Sequence, residues 1–96
     1  GYLLRTTAVY GNGKFGIRVN GINADKIRSG LLNKELIKRR SIDRSVSQEE
    51  YMKGNLLNEE VLAKDVAEAF FSLISLSKTT GHIITVDGGN IEASLR

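Results

Sequence analysis

The chain contains no cysteine, no proline and no tryptophan, and only one methionine and one histidine among its 96 residues. Without cysteine there is neither a disulfide framework nor a thiolate metal site. No cluster of His, Asp and Glu has metal-ligand spacing either, so no metal is expected. Long apolar runs are missing too: none approaches the roughly 18 residues a membrane helix needs. No signal peptide is visible, which leaves the cytoplasm as the default location and no membrane as partner. An excess of charge is also lacking; a net +3 from 14 basic and 11 acidic residues permits acidic partners without demanding them. There is no internal repeat, low-complexity tract or linker rich in Pro or Gly/Ser. A chain this short is one domain or a piece of one, with a limited core.

The elements follow from pattern. Residues 1–10, "GYLLRTTAVY", read as the end of a helix stopped by Gly11, with Asn12-Gly13 as turn chemistry. Residues 16–22 place β-branched Ile17, Val19 and Ile22 between glycines, a short strand. Within 23–57, "LLNKELIKRR" sets Leu32, Leu36 and Ile37 on one helical face, and Ser47 with Glu50 forms a capping box opening a helix over Gln48 to Lys53. Residues 61–75 carry the strongest helical pattern, with Val66, Phe70, Leu73 and Ile74 aligned. "HIITV", 82–86, is a buried strand closed by Asp87-Gly88-Gly89, and 87–96 form a tail. Two strands joined through helices make a crossover unit of a parallel sheet. Two strands alone are marginal, so "HIITV" reads as an interior strand of a larger sheet. The expected fold class is therefore α/β: the C-terminal part of a Rossmann-like, doubly wound parallel sheet, cut from its beginning.

"YGNGKFG", residues 10–16, contains two motifs that suggest an enzyme, and neither stands. Gly11, Gly13 and Gly16 spell G-x-G-x-x-G, but a dinucleotide loop must follow a strand and open a helix. Here a helix end precedes and a strand follows. Tyr10 and Lys14 spell Y-x-x-x-K, which needs a continuous helix to bring the two together. Two glycines and an Asn between them argue against one.

Other candidates reduce to plain readings. His82 is expected to be a structural histidine, and Asp87 to be turn chemistry. Lys34, Lys38, Arg39, Arg40 and Arg44 form a basic run without interleaved aromatics and among acids, which reads as a solvated helix face. Phe70 and Phe71 point to different sides of their helix, one toward the core and the other toward a subunit contact.

Three landmarks in series carry a resemblance. "VYGNGKFGIRVNGIN" resembles the stretch of short-chain dehydrogenases/reductases where a long helix ends and the sixth strand begins, often "E-x-G-x-x-G-I-R-V-N". "LAKDVAEAFFSLIS" is similar to the following helix with its "P-E-D-V-A", and "TTGHIITVDGGN" to the seventh strand with its V-D-G-G. They cover residues 8–90 in the family's order. The resemblance implies that the catalytic Ser, Tyr and Lys and the true glycine loop precede residue 1, so no catalytic residue is assigned in this chain. "NGINADKIRSGLL", "EEYMKGNLL" and the tail, with T-T-G and a terminal E-A-x-x-R, resemble more narrowly the dehydrogenase half of bifunctional class II aldolase/short-chain dehydrogenases, similar to the rhamnulose-phosphate aldolase/dehydrogenase group.

The family's N-P-G-x-x-x-T loop, which lies beside the nicotinamide, corresponds here to Asn23-Ala24-Asp25-Lys26-Ile27-Arg28-Ser29. The resemblance implies cofactor contacts by Asn23, Ile27 and Ser29, with Ile27 offering backbone groups. Ala24 and Asp25 replace Pro-Gly, which alters the loop's fixed φ and flexibility and adds a negative charge. Serine is also a favoured N-cap, so Ser29 has the competing role of starting the next helix. The implied function is that of the C-terminal part of an NAD(P)-dependent oxidoreductase acting on sugar-derived alcohols or aldehydes. The fragment itself is expected to be inactive and to hold no cofactor. Its expected partners are the remainder of the dehydrogenase domain, a small-molecule substrate and further copies in a homo-oligomer, and no nucleic acid. The alternative is a non-catalytic binding or assembly module using the basic helix 34–44, which a salt-dependent nucleic-acid titration would reveal.

Overall fold

A computed structural model describes residues 8–90. The expected helix over 1–7 and the tail motif after Asn90 lie outside the described residues. The chain enters helically through α1 (Tyr10–Asn12) and tightens into a 3₁₀ turn over Gly13–Phe15. The stop expected at Gly11 falls instead at Gly16, which takes φ 75°. Asn12 and Gly13 keep negative φ, −111° and −56°, so the helical path does continue past Gly11. One left-handed residue suffices to end a helix, and the last glycine supplies it: Gly16 N donates to Gly13 O and Ile17 N to Asn12 O.

Two strands follow the expected plan. β1 (Gly21–Ala24) and β2 (Ile83–Val86) pair in parallel, with Gly21 opposite Ile83 and Ala24 opposite Val86. β1 thus begins later than the expected 16–22. The stretch before Gly21 is extended chain without a strand assignment, held by side chains as well as by a backbone bond. Val19 N donates to Thr80 Oγ1 and Gly81 N to Val19 O, while Asn20 donates to Thr79 O and accepts from His82 N. Arg18 spreads its guanidinium over the carbonyls of Leu73, Ile74 and Leu76 at the end of α4 (Ala63–Ser75). Carbonyls in the last turn of a helix lack their full set of intrahelical partners; here Leu73 O keeps only the capping bond from Leu76 N, and a cation at this end also opposes the helix dipole.

Between the strands lie α2 (Lys34–Asp43), α3 (Gln48–Met52) and α4. α2 starts later than the apolar pattern suggests because Asn33 caps it, Oδ1 accepting from Leu36 N at 3.0 Å. The capping box of Ser47 and Glu50 is present on α3. Asp65 closes the start of α4 by accepting from Leu62 N. The main core cluster is Leu32, Ile37, Tyr51 and Met52, with Leu36 against it.

The α4 stripe is only partly used. Leu73 is buried, but Phe70, Phe71 and Ile74 are 51%, 78% and 70% exposed, so neither phenylalanine serves the core. The strand "HIITV" is half-buried rather than covered on both faces, and His82 is exposed, its backbone N–H donating to Asn20 Oδ1 and its carbonyl accepting from Gly21 N, not a buried structural histidine. Each correction has one cause: among the described residues the sheet has two strands, and they cannot cover both of its faces. Among the same residues no helix is long and apolar enough to cross a membrane.

Replacing Arg18 with Met should leave three helix-end carbonyls without their cation. We expect a loss of about 1.5–3 kcal/mol, read by chemical denaturation of the whole protein.

Candidate functional site

Because β1 and β2 run the same way, Ala24 and Val86 finish at one edge of the sheet. Open parallel sheets bind their ligands outside that carboxyl edge. The two segments that leave it are tied together: Asn90 Nδ2 donates to Asp25 Oδ2 at 2.8 Å. Asp25 thus places its carboxylate at this edge, with an amide bound to it.

The turn after β2 is built around two glycines. Asp87 is buried and its Oδ1 accepts from Gly89 N, the expected turn chemistry. Gly88 and Gly89 take φ 66° and 84°. Their carbonyls accept from Leu57 N and Leu56 N, so the turn is stitched to the segment after α3. A Cβ on Gly88 would stand 2.5 Å from the Asn55 side chain, which is already engaged with both backbone groups of Glu59. One on Gly89 would stand 3.0 Å from Leu56. Glycine is needed at both places for conformation and for room.

Of the three residues expected to contact a cofactor, the structure brings two together in the loop after β1. Ile27 and Ser29 line one hollow of about 290 Å³, together with Ala24, Lys26, Leu36 and Arg40. Asn23 is exposed on β1 opposite Thr85 and does not line it. Ser29 is not the cap of α2, which is Asn33. Its Oγ accepts from Leu31 N and Leu32 N at 3.2 and 3.1 Å, closing a separate turn. The left-handed residue of the loop is Lys26, at φ 53°, rather than Asp25 at the glycine position of the family pattern. Arg28 grips Glu60 through two bonds of 2.6 and 3.0 Å, which anchors the loop to the segment before α4. That hydrogen bond holds the Arg28 guanidinium's pKa above its ordinary value.

A second hollow of about 360 Å³ adjoins the first. Lys26, Arg44, Glu50, Tyr51 and Asn90 are among its walls, and Lys26 belongs to both. Tyr51, only 3% exposed, lies beneath two cations: Lys26 Nζ at 4.8 Å and the Arg44 guanidinium at 5.3 Å from its ring centre. Arg40 Nη1 meets its hydroxyl at 3.4 Å. The basic run is therefore not one solvated face, since two of its cations turn onto Tyr51. Sequence reasoning missed this group because Lys26, Arg44 and Tyr51 come from a loop and two helix ends with no shared spacing.

Tyr10 and Lys14 belong elsewhere. Tyr10 is 71% exposed and shares a surface depression with Thr80 and Gly81, which precede β2, so it stands at the amino end of the sheet. Lys14 lies over the Phe15 ring. Among the described residues no three His, Asp or Glu side chains come together as a metal site would require.

No family model matches the chain. Over 92% of its length it is 36% identical to an uncharacterized oxidoreductase, YuxG, of Bacillus subtilis (strain 168), and it spans only 14% of that protein. A short chain dehydrogenase family protein from Francisella tularensis subsp. tularensis SCHU S4 superposes with a TM-score of 0.71 at 24% identity, covering 93% of this chain and 39% of that one. ElxO with NADP bound superposes with a TM-score of 0.64 at 22% identity, covering 88% of this chain and 33% of that one. The chain is thus similar to an oxidoreductase over a small part of that relative's length, and its fold is that of part of a short-chain dehydrogenase.

The glycine turn can be checked directly. Gly88→Ala should cost about 1–2 kcal/mol for the left-handed conformation alone, and more if the Asn55 bonds are lost. Gly11→Ala, in a helical conformation with open space around it, should be neutral or slightly stabilising. Denaturation midpoints of the two variants give the comparison. Asn33→Ala should lower stability by about 1 kcal/mol as the true cap of α2.

Proposed function

We propose that this chain is the C-terminal part of an NAD(P)-dependent short-chain oxidoreductase, belonging to a bifunctional aldolase/dehydrogenase that acts on sugar-derived alcohols or aldehydes. The carboxyl edge carries the reading: the loop after β1 and the glycine turn after β2 meet there and border the hollow that holds Ile27 and Ser29. The bifunctional part draws support from length. Nearly the same stretch is 14% of the YuxG protein but 39% of the Francisella dehydrogenase, so the relative is more than twice as long and has room for another domain.

In the whole enzyme the nicotinamide would exchange hydride with the carbonyl or alcohol carbon, with acid/base chemistry supplied from upstream of this chain. The residues here fit a carboxamide. Ser29 Oγ spends its lone pairs on two backbone N–H groups, which leaves its hydrogen to donate to a carboxamide oxygen. Ile27 contributes backbone groups from the same turn, and Asn23 stands on the strand that leads into it. The Arg28–Glu60 pair and the Asp25–Asn90 bond keep that loop in place.

The exposed apolar stripe of Phe70, Phe71 and Ile74 supports coverage by the remainder of the dehydrogenase domain and by further copies in a homo-oligomer. The cytoplasm remains the proposed location.

The test uses the full-length protein. Ser29→Ala should weaken NAD(P) binding by about three- to tenfold, the worth of one hydrogen bond, and Ser29→Thr should restore it. Unchanged affinity in Ser29→Ala would rule that contact out. The isolated 96-residue chain should show no NAD- or NADP-linked turnover with a panel of alcohols. Turnover that vanishes on Tyr10→Phe would overturn the assignment of catalysis to residues upstream.

A further inference from the structure

Lys26 and Arg44 share one aromatic partner, Tyr51, and differ from the two ion-paired cations. Arg28 has Glu60 and Lys53 has Glu49, but among the described residues neither Lys26 nor Arg44 makes an ion pair. Both instead lie on the ring of a buried tyrosine inside one hollow. A ring face attracts a cation without neutralising it, so the charge stays available to an anion. The one carboxylate lining that hollow, Glu50, is turned to the start of its own helix, where it accepts from Ser47 N at 3.2 Å. Asp25, nearby on the loop, is bound to the Asn90 amide.

The backbone at Lys26 points the same way. A lysine at φ 53° is an uncommon conformation that costs energy, and such residues gather where position matters more than ease. Lys26 also lines the Ile27–Ser29 hollow, so one side chain separates the two spaces.

We propose that the hollow over Tyr51 is the subsite for an anionic group of the substrate, a carboxylate or phosphate, held by Lys26 and Arg44. This rests on the oxidoreductase reading above for the meaning of substrate, but the anion site is a property of this chain's own residues. The reacting carbon would lie toward the Ile27–Ser29 hollow, and the anionic group would lie across Lys26 from it. Neutral sugars would lack this hold, so Lys26 and Arg44 set preference among substrates and take no part in hydride transfer.

Two measurements on the full-length protein decide it. The first compares kcat/KM for a 2-hydroxy acid with its neutral primary amide, and for a phosphorylated polyol with the unphosphorylated one, which also tells carboxylate from phosphate. Lys26→Met and Arg44→Met should raise KM for the preferred anionic substrate about ten- to a hundredfold, the loss of a charged hydrogen bond, with kcat and the neutral partner nearly unchanged. Arg44→Lys should recover part of the loss. Equal effects on charged and neutral substrates, or none, would overturn the proposal while leaving the oxidoreductase assignment intact. The second is calorimetric binding of inorganic phosphate and of acetate, which needs no turnover. Binding of either that is lost in Lys26→Met supports the site, and failure of both to bind the wild type overturns it. Absence of NAD(P)-linked turnover with every substrate would count against the oxidoreductase reading alone, and the calorimetry would then decide the anion site.

Discussion

Everything at the candidate site depends on the parallel pairing of Gly21–Ala24 with Ile83–Val86. The two strands are far apart in sequence, so closing that loop costs entropy, and four residues on each side return little on their own. The fold compensates with clamps at both ends of the pair. At the amino end, Asn20, Thr80 and Gly81 replace missing ladder bonds, and Arg18 fastens the helix that leads into β2. At the carboxyl end, the Gly88–Gly89 turn takes backbone bonds from Leu56 and Leu57, and Asn90 ties to Asp25. The I-R-V-N and V-D-G-G landmarks are these clamps. Their residue types follow from geometry: a guanidinium wide enough for three carbonyls, an amide that both donates and accepts, and glycines where no Cβ fits.

The clamps also explain why two hollows form where they do. With both strand ends fixed, the loop over 25–29 is held against the helical pair α2 and α3, whose core of Leu32, Ile37, Tyr51 and Met52 is buried. Tyr51 belongs to that core and still presents its ring to the second hollow, so the hollow has a buried side chain as its floor. Lys26 reaches it from the loop after β1, and Arg44 from the C-terminal end of α2. α4, which packs on both strands, buries Leu73 but leaves Phe70, Phe71 and Ile74 exposed.

The elements that were legible beforehand are those governed by local chemistry. Ser47 and Glu50 announce a capping box, the 61–75 pattern announces a helix, and "HIITV" before Asp-Gly-Gly announces a strand and its turn. The errors lie where local rules give several permissible answers. Any of three glycines could have ended the first helix, and backbone hydrogen bonding chose Gly16. The start of β1 depended on which stretch had a strand beside it, and His82 and the two phenylalanines depended on what covers them.

Sequence alone determined the order of helices and strands, the parallel α/β class and the rejection of "YGNGKFG" as a cofactor loop, because periodicity, capping and motif order act within a few residues. It also placed Ser29 and Ile27 together, since they share one short loop. Only the tertiary structure decided that Asn33 rather than Ser29 caps α2, that Arg18 serves a helix end dozens of residues away, and that Lys26, Arg44 and Tyr51 form one group. These depend on which distant backbone groups and rings come within bonding distance once the two strands pair. No spacing along the chain encodes that.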